Sequence, residues 1–495
     1  MIEKPARVRF APSPTGRMHL GSARTALYDY LIAQQTGGQF ILRIEDTDRK
    51  RYVPGSEEEL IEGLKWLGLK WDEGPDIGGP YGPYRQSERV EVYKKYIQEL
   101  IDNDHAFYCF CSPESLQKVR QAQQKAKETF RYDGKCRAIN KQDAAERVAN
   151  GEKYVVRFKT PKEGFTEVTD HVRGVIRVEN KTLDDYILVK SDGLPLYHLA
   201  AMVDDHLMKI THVIRGSEWL PTFPLHGLIY RAFGWEEPVW VHLSVFLKPS
   251  GKGKMSKREA VDLKKGGHSI FVKDMQEFGY LPEGLVNWTV LMGWSLDGMT
   301  EYFDMEDLIE KFSIQRLNPS PAAINFSKLD HFNGLHIRKL EKEDLAKRLL
   351  PYFSDYEIDM EKLLKVVPLI QERLVTLDDA PKMAGFFFQD QVVPVVEELI
   401  AKKMTAEESM IVAEKAFAIL QNAVDMQVET IEQPLRDLVE ELTLKPGQVF
   451  GIIRTAVTGQ KVSPPLFESM EIIGKEKVIE RMKTAIQLLK NFKIH

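Results

Sequence analysis

The sequence predicts an α/β protein followed by an all-helical region, and three observations predict it. Residues 7–36 read as a strand, a loop rich in proline and glycine, and a helix. Short apolar strand-like runs then alternate with helical patterns to about residue 250, which is how a βαβ architecture reads. Beyond about residue 335 strand signals nearly vanish, and Leu-, Glu- and Lys-rich helical periodicity continues to His495.

The first element runs into FAPSPTGRMHLG, residues 10–21. Val8, Phe10 and Ala11 end a strand, because Pro12 and Pro14 cannot donate to a sheet ladder. From Leu20, with Ala23, Leu27 and Leu31 at helical spacing, a helix runs until Gly37 and Gly38 stop it. The loop thus delivers the chain to a helix N-terminus, where orphan N–H groups and the positive end of the helix dipole suit a phosphate. Gly16 and Gly21 let the backbone approach closely. Taken alone, the stretch serves as well as a Pro-rich βα turn in which His19 caps the helix.

Later elements follow the same logic. QFILRIE, YILVK, THVIR and VWVHLSVFL read as strands. GSEEELIEGLKWLG predicts a helix opened by a Ser56–Glu59 capping box. QSERVEVYKKYIQELIDN places Val90, Tyr93, Ile97, Leu100 and Ile101 on one helical face. Between about 109 and 186 a basic helical stretch, SLQKVRQAQQKAK, and the alternating segments KYVVRFK and GVIRVEN predict an insertion with its own small sheet.

Bulk properties bound the function. A chain of 495 residues exceeds what one core holds, so three or more domains are expected. Three cysteines cannot build a disulfide framework, which suits a reducing compartment. The N-terminus MIEKPARVRF lacks a signal-peptide apolar region, and no run approaches the roughly 18 apolar residues of a membrane span. A cytoplasmic chain without membrane contact is the expectation. The net charge of -5 argues against indiscriminate coating of nucleic acid and leaves room for a local basic track.

Such a track lies at 247–267, LKPSGKGKMSKREAVDLKKGG. Lys248, Lys252, Lys254, Lys257, Arg258, Lys264 and Lys265 face only Glu259 and Asp262, and the glycines and proline make it a loop. A basic loop alone is usually solvated surface; paired with a phosphate-ready loop in the same α/β region, it reads as half of a nucleotide site.

These residues carry a resemblance. MHLG at 18–21 and KMSKR at 254–258 resemble the HIGH and KMSKS elements of class I aminoacyl-tRNA synthetases. RFAPSPTG, RTAL, RIEDTD, YGPYRQSER, YHLA with VDDHLM, VIRGSEW and LMGW follow the bacterial glutamyl-tRNA synthetases in order, and GKEKVIERM near the C-terminus does so more weakly. The sister glutaminyl enzymes resemble it less, in the loop after RF and in their all-β anticodon domains, whereas this C-terminal third reads helical.

The resemblance implies a class I Rossmann-like catalytic domain over 1–92 and 188–250, with an α/β acceptor-binding insertion over 93–187. A stem-contact domain with the KMSKR loop would span 251–330, and helical anticodon-binding domains 331–375 and 376–495. The implied activity is attack of the glutamate α-carboxylate on the α-phosphorus of ATP, releasing pyrophosphate, then attack of the terminal tRNA ribose on the adenylate. Neither step needs an enzyme nucleophile, so catalysis rests on positioning and charge neutralisation. By similarity His19, Lys254 and Lys257 are catalytic; Gly21 and Ser256 join them in holding ATP, with Mg²⁺ carried mostly by phosphate and water.

For glutamate, Arg9 and Arg215 are the implied carboxylate partners, Glu45 the ammonium partner, and Ser13 and Tyr197 complete the pocket. The plain alternatives are that Arg9 and Glu45 pair as strand-end charges and that Tyr197 is core. Members of the family differ around His198 and Ala201, which take no assigned role. Asp204, Asp205 and His206 resemble a metal cluster, but neighbours on a helix diverge by about 100°, so a structural or tRNA-end role is expected. Trp219 suits stacking on adenine or a tRNA base, and equally an ordinary packed aromatic.

Cys109, Cys111 and Cys136 resemble the C-x-C and distant cysteine of a zinc site that some members carry in the insertion. Where some relatives place a histidine two residues after the last cysteine, this chain has Ala138, leaving Tyr132 or His105 as a poor or distant fourth ligand. The alternative is three buried thiols left from an eroded site. The implied partners are tRNA and glutamate, with the chain a monomer. Three rivals stand beside this reading. One is a catalytically silent tRNA-binding paralogue, which intact MHLG and KMSKR oppose. Another is a truncated form that glutamylates a modified tRNA base, which residues 335–495 oppose. The third is a non-discriminating form that also charges glutamine tRNA, a choice made at anticodon contacts the motifs do not mark.

Overall fold

In the computed structural model, which describes residues 5–255 and 269–492, β1 (Arg7–Phe10) is buried at all four positions. The chain leaves it through the proline-bearing loop and enters α1 (Leu20–Thr36), buried on every side from Ala26 to Ala33 as a central helix must be. Gly37 ends α1 in the left-handed region at φ 62°. A side chain at Gly38 would put its Cβ 1.9 Å from Ala6 O, so only glycine lets the turn pass β1. β2 (Gln39–Leu42) then returns parallel to β1, Arg7 opposite Gln39.

α2 (Ser56–Trp66) departs from the expected capping box. Its N-cap is Gly55, at φ 80°, and Ser56 is already inside the helix. The Ser56 hydroxyl donates to Val53 O at 2.6 Å, and Glu59 accepts from Arg17 instead. The left-handed glycine starts the helix one residue early and turns the serine back onto its own loop. α3 (Val90–Asp102) buries Tyr93, Leu100 and Ile101, with Val90 and Ile97 half-buried beside them.

The insertion holds β3 (Ala106–Cys109), α4 (Pro113–Lys125), α5 (Lys141–Ala149), β4 (Val155–Phe158), β5 (Phe165–Asp170), β6 (Gly174–Glu179) and β7 (Ile187–Val189). Its own antiparallel sheet is β3-β4-β7. The β5–β6 hairpin does not join that sheet. FTEVTD alternates exposed and buried residues, and its last inward residue, Asp170, pairs with Trp240 on the parallel sheet beyond. That register brings a carboxylate from the insertion into the main core.

α6 (Tyr197–Leu207), β8 (His212–Gly216), α7 (Phe223–Phe233) and β9 (Val239–Leu243) complete the α/β layer. β8 pairs parallel with β9 from His212 opposite Val239 to Gly216 opposite Leu243, and the Thr211 N–H before it donates to Arg7 O at 2.8 Å. β1 and β8 therefore end at the same edge of the sheet, where open α/β sheets bind ligands. β10 (Phe246–Leu247) and β11 (Ala322–Ala323) form a short parallel pair.

The chain divides into two compact units, one running to Met275 together with Leu285–Phe326, the other comprising Gln276–Gly284 and the chain from Ser327 onward. The second unit is helical among its described residues, from Phe326–Lys339 to Lys475–Asn491. One apolar core runs through it, from Leu281 to Leu489. No helix among the described residues is long and apolar enough to cross a membrane.

Candidate active site

A cleft of about 720 Å³ opens at the ends of β1 and β8. Arg9, Ser13, His19, Gly21, Glu45, Tyr197, Arg215 and Lys254, drawn from five separated stretches of sequence, all line it. Ser256 and Lys257 lie outside the described residues.

His19 both lines the cleft and caps α1. Its Nδ1 accepts from the Ser22 N–H at 3.2 Å, which leaves the ring proton to Nε2, itself 3.2 Å from Ser22 Oγ. Gly21 makes room for the ring, since a Cβ there would sit 3.0 Å from it. The helix N-terminus is less open than its sequence suggests, because the Leu20 N–H donates to Ile270 O at 2.8 Å.

The charged residues form one buried network. Arg9 Nε donates to Asp205 Oδ1 at 2.9 Å and Nη1 to Ile214 O at 3.3 Å. Arg43, fully enclosed, donates to Asp205 Oδ1 at 2.7 Å and to Glu45 Oε1 at 3.0 Å. Arg9 and Glu45 therefore pair with other partners, not with each other. Burial, only partly offset by Arg43 and Arg9, pushes the Glu45 carboxyl up to about 7. Burial acts on Asp205 too, but Arg9 and Arg43 outweigh it and hold that carboxyl below its usual range.

Asp204 and Asp205 diverge, as adjacent helical residues do. Asp204 accepts from Arg89, Gln86 and Tyr93 at 2.7–2.9 Å, while His206 stacks on Trp235 at 3.8 Å. The DDH run is thus an ion-pair and packing device. Trp219 lies flat on Tyr197, ring centroids 3.9 Å apart, and both line the cleft.

Arg215 extends its guanidinium among rings. Nε donates to His242 Nε2 at 3.0 Å, Nη2 to His226 Nδ1 at 2.9 Å, and Nη1 to Tyr197 Oη at 3.4 Å. His226 and His242 carried no sequence signal, and Arg43, though it opens the RIEDTD word, was given no role there. Each sits in an apolar run that reads as strand or helix core, and only the fold brings it against a residue that lines the cleft, Arg43 against Glu45 and the two histidines against Arg215.

In the insertion, Cys109, Cys111 and Cys136 place their sulfurs within 4.8 Å of one another. Tyr132 Oη lies 3.4 Å from Cys109 Sγ and 3.6 Å from Cys111 Sγ, and accepts from the Cys136 N–H at 2.8 Å. The phenol, expected to be a poor or distant fourth donor, stands among the thiols, and His105 is not part of the group. Sulfurs of a tetrahedral zinc site lie about 3.8 Å apart, so three thiols this close suit three of the four places around a structural zinc ion, with the Tyr132 phenol beside them.

Comparison with known proteins agrees with this geometry. Residues 5–331 match the model of the catalytic domain of class I tRNA synthetases (E and Q), and 344–486 that of an anticodon binding domain. The glutamate–tRNA ligase of Chloroflexus aurantiacus is 45% identical, covering 99% of each chain. That of Dehalococcoides mccartyi is 44% identical over 98% of each. The crystal structure of a glutamate tRNA ligase from Elizabethkingia meningosepticum in complex with its amino acid superposes with a TM-score of 0.89 at 37% identity, covering 98% of this chain and 99% of that one. A Rossmann-like sheet bearing the MHLG loop, a helical anticodon unit and full-length identity of this order agree: the chain belongs to the glutamate–tRNA ligases, class I enzymes of the aminoacyl-tRNA ligase type.

Proposed function

We propose that the chain activates glutamate with ATP and transfers it to the 3′-terminal ribose of glutamate tRNA, with activation in the cleft around Arg215 and Glu45. One observation carries the reading of the site: a buried guanidinium and a buried carboxylate line the same cleft. A zwitterion with an extra carboxylate meets both, its ammonium at Glu45 and its side chain at Arg215. Arg9 is the second carboxylate partner, weakened in that role because its Nε and Nη1 already bind Asp205 and Ile214 O. Ser13 and Tyr197 orient the substrate by hydrogen bonds.

His19 and Gly21 take the nucleotide at the start of α1. Lys254, with Ser256 and Lys257 after it, supplies cations that neutralise charge growing on the phosphates. Mg²⁺ enters with the nucleotide, held mostly by phosphate oxygens and water. Cys109, Cys111, Cys136 and Tyr132 hold a structural zinc ion that braces the insertion. The insertion over 93–187 meets the tRNA acceptor end, 251–330 its stem, and the helical domains over 331–375 and 376–495 its anticodon. The enzyme works as a cytoplasmic monomer.

The test is aminoacylation of purified glutamate and glutamine tRNAs side by side with labelled glutamate. Charging of the glutamate tRNA alone is expected; charging of neither refutes the proposal, and charging of both replaces it with the non-discriminating form.

A further inference from the structure

Arg9 and Arg43 are engaged by a carboxylate, Asp205; Arg215 is not. Among the described residues its hydrogen-bond partners are two imidazoles and a phenol, although only 5% of its surface is exposed. A guanidinium has five N–H donors and no acceptor, so any ring nitrogen it donates to must be the one without a proton.

That requirement propagates outward on both sides. His242 Nε2 accepts from Arg215, so its proton sits on Nδ1, which faces Asp170 Oδ2 at 2.7 Å. Asp170 accepts everywhere: Oδ2 also from the His242 N–H at 3.0 Å, Oδ1 from the Val172 and Arg173 N–H groups at 3.1 and 2.9 Å. His226 Nδ1 accepts from Arg215, so its proton sits on Nε2, which faces His198 Nδ1 at 2.9 Å. Four residues around Arg215 thus share one consistent arrangement of protons.

We propose that His242, backed by Asp170, and His226, backed by His198, are positioning residues that fix Arg215 as an un-neutralised anchor for the side-chain carboxylate of glutamate. The inference rests on the reading that Arg215 takes that carboxylate. A carboxylate partner would hold the fork in place but cancel its charge and compete with the substrate. Neutral rings orient it and leave the charge for the ligand. Selection of glutamate over its amide isostere follows, since only a carboxylate meets the bare cation as an ion pair. The face of Trp240, 4.8 Å from the guanidinium carbon, stabilises the cation without accepting a proton. Burial and the Arg215 charge also keep the rings neutral: His198 and, against Asp170, His242 are pushed down to about 4, and His226 well below its usual value.

The test measures glutamate and ATP KM values by ATP–pyrophosphate exchange with tRNA present, on full-length variants whose thermal midpoints are recorded. His242→Leu and His226→Leu each remove one acceptor of a charged hydrogen bond, and are expected to raise the glutamate KM about tenfold or more with the ATP KM within about twofold. His242→Gln and His226→Asn put an amide oxygen near the lost acceptor nitrogen, and should return the glutamate KM to within about threefold of wild type. Asp170→Asn should raise it as well, because an amide N–H facing His242 moves the ring proton onto Nε2, against Arg215; this variant carries the test should the leucine variants not fold. Arg215→Leu is the control. An unchanged glutamate KM in that variant overturns the reading of Arg215 and this inference with it. A raised KM in Arg215→Leu, with leucine and amide variants alike or Asp170→Asn silent, overturns the positioning inference alone.

Discussion

Glu45 is enclosed beside Arg43 in a cleft lined by Arg215, and burial raises its carboxyl from the usual 4.5 to about 7. At 1.36 kcal/mol per unit, holding Glu45 ionised in the free enzyme costs about 3 kcal/mol. Because the folded value is raised, protonated Glu45 favours the fold; this stabilisation is complete below the unfolded value and is lost as pH rises through about 7. An ammonium bound against the carboxylate reverses that preference, so glutamate binds to the ionised form. The expected result is that kcat/KM for glutamate falls by up to about tenfold per pH unit as pH drops below about 7, while the ATP KM stays level. The side chain of the substrate, with a carboxyl near about 4.3, does not titrate in this range. Pyrophosphate exchange at subsaturating glutamate with tRNA present measures it, with Glu45→Gln as the control that should be slow at every pH and lack the acid limb. A flat profile from about pH 8 to 6, or a limb that persists in Glu45→Gln, refutes the assignment.

Three further outcomes are expected. Lys257→Ala should cut adenylate formation by about 2–4 kcal/mol of transition-state stabilisation, the scale of one lost charge-stabilising donor, with little change in thermal midpoint; unchanged pyrophosphate exchange would refute its role. Protein purified without chelator should carry close to one equivalent of zinc, bound by Cys109, Cys111, Cys136 and Tyr132; less than about a tenth of an equivalent, with thermal stability unchanged by chelation, would leave three plain thiols. Gly38→Ala should cost about 3 kcal/mol or more of stability, because its Cβ would lie 1.9 Å from a backbone oxygen, as denaturant unfolding will show; a loss under about 1 kcal/mol would mean that the turn relaxes.

The parts of the fold most legible in the sequence were those whose signals are local. Prolines at 12 and 14, the spacing from Leu20 to Leu31, and Gly37 with Gly38 delimit β1 and α1 to within a residue or two. The Ser56 capping box misled because a pattern of residue types does not reveal that Gly55 adopts a left-handed turn and takes the cap position. Of the two alternating segments expected in the insertion's own sheet, KYVVRFK lies there as β4, but GVIRVEN is β6, which joins the sheet of β8 and β9 through β5; alternation does not name a partner, and so it did not show that Asp170 pairs across to Trp240. The same limit hid the surroundings of Arg215. His242 in VWVHL and His226 in FPLHGLIY look like polar interruptions of core elements, and only sheet register and helix packing turn them toward one guanidinium. The place of Tyr132 was hidden for a related reason: its distance along the chain from Cys109 says nothing about a loop that folds its phenol to 3.4 Å from that sulfur.

A crystal structure of this protein with glutamate bound tests the central claim most directly. The account predicts the side-chain carboxylate within hydrogen-bond distance of Arg215 and the ammonium against Glu45, with the α-carboxylate directed toward His19 and Lys254. A side-chain carboxylate seated on Lys254, or a glutamate with its ammonium away from Glu45, would contradict it.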